Sequence, residues 1–194
     1  MGDVGNKGGR PRSEQARAAV LHAVDDLLVE VGYAAMTMKG IAERAGVGRQ
    51  TVYRWWSTKA EILFEASMYD AGHELSVPAW GDALRQVTEY LLALTRFLTT
   101  SDAGAAYRAL VAAAQQDAAV AELIASKDIL GDSARVVLGR VAAERPLPVS
   151  LAQATASLVG PTFYWILSGR DPRELRPAEL AKTFLADLDA RTPA

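Results

Sequence analysis

From residue 13 onward the apolar side chains Ala16, Val20, Ala23, Val24, Leu27, Leu28 and Val31 recur at intervals of three and four, and Gly32 closes the run. That is the period of one buried helical face, so the pattern predicts a first helix with Ser13 as its cap. Thr37 stands where it would cap a short second helix with Ile41, Ala42 and Ala45 turned inward, and Gly46 suits the positive φ of a tight C-terminal turn. A third helix starts near Gly48. Further helical periods run over residues 58–71, 82–99, 103–116, 117–144 with a break expected at Gly131, 150–167 and 177–190. No stretch alternates with the period of a strand, and no internal repeat emerges, so the expected fold class is all-α.

Within this pattern one segment is chemically odd. Tyr53, Trp55 and Trp56 lie within four residues and are threaded by Arg49, Arg54 and Lys59. A core needs rings without cations, and a solvated face needs cations without rings. On a helical wheel with Val52 at the origin, Trp56 falls about 40° away and forms the inward stripe with it. Gln50 and Arg54 then take the opposite side with Thr51 beside them, and Tyr53 and Trp55 occupy the two flanks. A short helix packed across a preceding one through a Gly-containing turn, showing Gln, Thr and Arg outward, has the chemistry of a helix-turn-helix reading head. Arg54 can fork onto guanine and Gln50 onto adenine, with Thr51, Tyr53 and Trp55 donating to phosphates at the groove edges. For Tyr53 and Trp55 the alternative is packing against the first helix; for Arg49 and Lys59 it is ordinary solvation.

Charge sharpens the picture. The formal net charge is only −2, yet residues 1–59 hold nine basic against six acidic side chains, and the remainder holds twelve against seventeen. A basic head on an acidic body directs only the head toward a polyanion. With no cysteine and two histidines, thiol catalysis, disulfides and the usual zinc sites fall away. Asp25, Asp26 and Glu30 sit opposite the first helix's apolar stripe and read as a solvated face. No G-x-S-x-G, H-E-x-x-H or P-loop pattern occurs, so no catalytic residue, metal site or cofactor is expected and the chain does not read as an enzyme. Residues 146–169 carry no charge over about the length of a membrane span, but scattered Ser, Thr and Gln and the Gly160-Pro161 break favour a helix buried against protein.

The run TMKGIAERAGVGRQTVYRWWSTKAEIL resembles the DNA-binding domain of the tetracycline-repressor (TetR) family, in Thr37, Ile41-Ala42, Ala45-Gly46-Val47, Tyr53, the aromatic pair and Lys59. The resemblance covers residues 13–64. It implies phosphate contacts from Thr37, Tyr53, Trp55 and Lys59. The chain departs from the family pattern at Gly48, where a capping Ser is usual, at Trp55 in place of Tyr or His, and at Ala60 in place of Glu. The arm KGGRPRS is similar to the Gly-Arg-Pro core of minor-groove AT-hook peptides, or is a plain disordered tail.

A TetR-like head implies a helical C-terminal domain that dimerises and encloses a small-molecule pocket. The residues support a dimer independently, since the uncharged helix over 150–167 is hard to bury on all sides within one small chain. Leu158 is taken as facing the partner, and Pro161 as a kink. Phe64, Met68, Tyr90, Phe97, Tyr107, Val111 and Trp165 are candidate pocket residues, with plain core as the alternative for each. The expected organisation is a flexible basic arm over residues 1–12, a helix-turn-helix domain over 13–59 and a dimerisation and ligand domain over 60–194. The expected function is a cytoplasmic, homodimeric repressor that binds a palindromic double-stranded DNA operator and is released by an unidentified small-molecule effector, with no membrane partner. The alternative is a regulator or architectural DNA-binding protein without a ligand.

Overall fold

The computed structural model describes residues 9–145 and 147–191, and its regular elements are all helical. Residues 1–8 of the expected arm lie outside the described residues. The chain divides into two compact units, Met1–Ser67 and Met68–Ala194, with the boundary inside a helix.

The first unit is built from α1 (Gly9–Ala35), α2 (Met38–Arg44), α3 (Arg49–Trp55) and the opening turns of α4 (Lys59–Glu74). Its α1 begins ahead of Ser13, which therefore lies inside the helix and is not its cap. At Gly32 the backbone turns to φ 76°, ψ 162°, a conformation essentially restricted to glycine, and the helical geometry breaks there as the sequence predicts. Val20, Val24, Ile41, Val52, Ile62 and Leu63 are fully buried. Val31, assigned to the inward stripe, is instead 50% exposed, because it stands next to the break and the chain leaves the stripe's register. The start of α4 is fixed twice: the Glu61 amide donates to the Thr58 hydroxyl at 3.2 Å, and the Glu61 carboxylate accepts from the Ser57 amide at 2.7 Å.

The second unit is organised on α5 (Ala83–Thr100), which packs against α6 (Asp102–Ala114), α8 (Ile129–Glu144), α9 (Leu151–Leu167) and α10 (Pro177–Arg191). Asp82 caps α5 by accepting from the Arg85 amide at 2.8 Å. Val87, Tyr90, Leu94, Phe97 and Leu98 are removed from solvent, each such side chain contributing about 1.5–3 kcal/mol by burial. Where α6 doubles back on α5, Gly104 lies so close that a Cβ would strike the Phe97 carbonyl, so the crossing requires glycine.

The helix predicted over 117–144 is two: α7 (Ala118–Ser126) and α8. The break falls at Lys127 and Asp128, ahead of Gly131. Asp128 accepts from the Gly131 amide at 2.9 Å and caps α8, and the missing Cβ of Gly131 makes room for that carboxylate. Gly131 thus serves a cap and does not break a helix. A short 3₁₀ turn, Pro172–Glu174, precedes α10. No described helix is long and apolar enough to cross a membrane.

Candidate nucleic-acid interface

The turn between α2 and α3 is closed by backbone alone. The Ala45 amide donates to the Ile41 carbonyl at 2.9 Å and the Val47 amide to the Ala42 carbonyl at 3.0 Å, with Gly46 at φ 64° between them. At the head of α2, Thr37 is extended and its hydroxyl oxygen accepts from the Gly40 amide at 3.1 Å, the cap that the sequence predicts. Gly48 occupies the same place on α3 and offers no side chain for the task.

Helical geometry sorts the side chains of α3 by face. Val52 is fully buried and Trp56, just past the helix, is 3% exposed. Arg49, Gln50 and Arg54 are exposed, Tyr53 is 55% exposed, and Thr51 and Trp55 are half-buried. Trp55 meets Trp56 edge to face, with ring centres 5.4 Å apart and planes at 78°. The Trp56 indole N–H donates to Glu65 at 2.9 Å, Arg17 pairs with the other Glu65 oxygen at 2.7 Å, and the Arg17 guanidinium lies 5.9 Å from the Trp56 ring centre. The sequence reading missed Arg17 and Glu65. Their only signal is an acid and a base on the helices flanking a buried indole, whose N–H needs an acceptor.

Among the described side chains of the unit, Arg17, Lys39, Arg44 and Lys59 find partners inside it. Arg44 of α2 forks onto Glu30 and reaches Asp26 at 3.4 Å, and this guanidinium holds the Glu30 carboxyl below its ordinary value. Asp26 and Glu30 are exposed, as their reading as a solvated face expects, and they also form the α1 side of a charged seam. Lys39 lies 3.6 Å from Glu43 on its own helix. Lys59 donates to the carbonyls of Tyr33 at 2.7 Å, Met36 at 2.8 Å and Ala34 at 3.3 Å, and lies 4.4 Å from the centre of the Tyr33 ring. The ammonium thus sits among three carbonyls of the segment that joins α1 to α2. Burial also pulls the Lys59 pKa down. By contrast Arg49, Gln50 and Arg54 have no ion pair or side-chain hydrogen bond among the described residues.

The seven candidate pocket residues do not gather. Phe64 is buried within the first unit. In the second, Met68 lines a cavity of about 270 Å³ between the end of α4, the segment after it and α8, whose walls are Ala71, Leu75, Val77, Ile129 and Val137, with Ser76 and Asp132 at the polar side. Tyr90 and Phe97 are core: the Tyr90 hydroxyl sits 3.2 Å from the Leu130 carbonyl and 3.1 Å from Ser133 Oγ, and burial pushes its pKa up to about 12. Tyr107 packs on Phe97 at 6.0 Å and edges an open groove against α8 and α9, and Val111 is half-buried. Trp165 donates its indole N–H to the Asp171 carbonyl at 2.9 Å under the Arg170 guanidinium, fastening a loop. A search for rings missed this cavity because its walls are small and aliphatic.

Along α9 the buried residues are Ala154, Thr155, Leu158 and Thr162. Leu158, assigned to a partner, is 2% exposed and belongs to this chain's own core, because it shares the face that α9 turns toward α5 and α8. Ala152, Ala156, Val159, Gly160 and Phe163 instead line the open groove.

Comparison with known proteins places this geometry in a family. Residues 20–66 match the model described as bacterial regulatory proteins, tetR family. The chain is 39% identical over 117 residues to the uncharacterized HTH-type transcriptional regulator YdeS of Bacillus subtilis (strain 168), a match spanning 60% of this chain and 59% of that relative. Among solved structures it resembles the TetR family transcription regulator SCO0332, with a TM-score of 0.70 and 28% identity over 92% of this chain and 100% of that one. It shares the fold of RolR, solved with its ligand resorcinol, at a TM-score of 0.64 and 20% identity over 94% of each chain. The buried Val52, the Gly46 turn and the outward Gln50 and Arg54 all lie inside the matched segment, and residues 20–66 are a DNA-binding domain of the type found in the tetR family of bacterial regulatory proteins.

Proposed function

We propose that this chain is a homodimeric transcriptional regulator that lays α3 in the major groove of a palindromic operator and is released by a small molecule. The observation that carries the proposal is the set of groups Arg49, Gln50 and Arg54, unpartnered among the described residues, on a helix whose other face is buried, within a unit whose Arg17, Lys39 and Arg44 are paired with its own acids. Arg54 and Gln50 address base edges, while Arg49, Thr51, Tyr53 and Trp55 address the phosphates beside them. Thr37 spends its oxygen on Gly40 and keeps its hydroxyl proton for a phosphate. With an operator as its partner, the proposed regulator works in the cytoplasm.

Release by a ligand rests on the cavity of about 270 Å³, close to the lower end of about 300 Å³ typical of ligand pockets. The core positions of Phe64, Tyr90 and Phe97 favour the other reading, a regulator without a ligand. Arg54→Ala and Gln50→Ala should each cost about 1–3 kcal/mol on a duplex enriched by the protein from a random pool, with a smaller effect on scrambled DNA. Titration of both variants on both duplexes checks this. Equal losses on the two duplexes would remove α3 as the base-reading element.

A further inference from the structure

We infer that Glu65 is a positioning residue for the reading helix: by holding the Trp56 indole it sets how the end of α3 and the Trp55 ring are presented to DNA. The inference rests on the DNA-binding reading given above. With seven residues, α3 is too short to be stable by its own hydrogen bonds, and its anchors are the buried Val52 and Trp56. Apolar burial is non-directional, so packing alone leaves such a helix free to roll about its axis. A hydrogen bond is directional. Trp56 leaves α3 in extended backbone, at φ −136° and ψ 133°, and its indole N–H reaches the Glu65 carboxylate at 2.9 Å. Leaving that buried donor unmet would be costly. The other Glu65 oxygen is held at 2.7 Å by Arg17, so α1, the exit of α3 and α4 meet at one carboxylate. Trp55 packs edge to face on the ring fixed in this way, and the effect of Glu65 on DNA passes through the two indoles.

Glu65→Gln and Glu65→Leu change the charge equally, but only glutamine keeps an oxygen for the indole. Trp56→Phe keeps a buried ring and removes the donor. These three variants, and a double variant carrying Trp56→Phe and Glu65→Leu, are titrated on a duplex enriched by the wild type from a random pool and on its scrambled version. Circular dichroism of the free proteins reads the exciton coupling of the Trp55–Trp56 pair wherever both indoles remain. Glu65→Leu and Trp56→Phe should each lose about tenfold of the preference for the selected duplex, and the double variant no more than either. Glu65→Leu should also weaken the exciton signal, whereas Glu65→Gln keeps both signal and preference. The inference is overturned if Glu65→Gln loses as much as Glu65→Leu, or if the two losses multiply in the double variant. It is equally overturned if folded Glu65→Leu keeps its full preference or its full exciton signal. If the wild type enriches no duplex, the DNA-binding reading fails, and the exciton signal of Glu65→Leu alone decides whether Glu65 fixes the ring pair.

Discussion

Glu30 keeps its charge in acid longer than a free glutamate because Arg44 faces it across α1 and α2. A carboxyl whose folded pKa lies below its ordinary 4.5 stabilises the fold above that value and loses the contribution as pH falls through the lowered one. Thermal melts between about pH 3 and 6 should therefore be steeper in pH for wild type than for Glu30→Gln; parallel curves would show that the seam carries no linkage. At this scale the sequence tells inside from outside more readily than it tells partner from partner. The burial of Val52 and Trp56 and the exposure of Gln50 and Arg54 follow from helical period alone. The acceptors of Lys59 are backbone carbonyls 23 to 26 residues away, and no side-chain pattern records a carbonyl. Resemblance implies a phosphate for Lys59, and only coordinates reveal the carbonyls around it.

Helices in this chain are delimited by caps more than by composition. Thr37, Asp82, Ser101, Asp117, Asp128 and Ser150 each accept a hydrogen bond from an amide of the first turn they precede. At Thr37, read as a cap, the predicted start agrees with the fold, whereas Ser13, read likewise, lies inside α1. At Gly131, read as a breaker, the boundary lies earlier, because this glycine accommodates the Asp128 carboxylate that starts α8. Asp128→Ala should cost about 1 kcal/mol in a chemical melt, the usual value of an N-cap. Gly104→Ala should cost more, about 1–3 kcal/mol, since a Cβ there drives α6 off the Phe97 carbonyl. A silent Gly104→Ala would mean that α6 and α5 separate freely. That α6 would be a helix was legible from its period; that it crosses α5 at a glycine was not, because a close approach depends on what lies opposite.

As a whole molecule the proposed dimer depends on the groove along α9. Ala156 is exposed, so Ala156→Asp should leave the chain folded yet monomeric by sedimentation at micromolar concentration, whereas Leu158→Asp should unfold it. A folded Ala156→Asp that stays dimeric would move the interface elsewhere. An effector that lowers operator affinity must bind the free protein more tightly than the DNA-bound protein by the same factor, and equal affinities would remove release by that compound. The division of α3 into a buried face and an unencumbered one has a further consequence for descent. Gln50 and Arg54 have no side-chain partner among the described residues, so under the proposed reading selection acts on them through DNA, while Val52 is held by packing. In a two-fold dimer one codon change at either position alters both halves of the recognised palindrome at once. A lineage carrying this scaffold thus retargets in whole steps, and an operator that follows it must change in both halves.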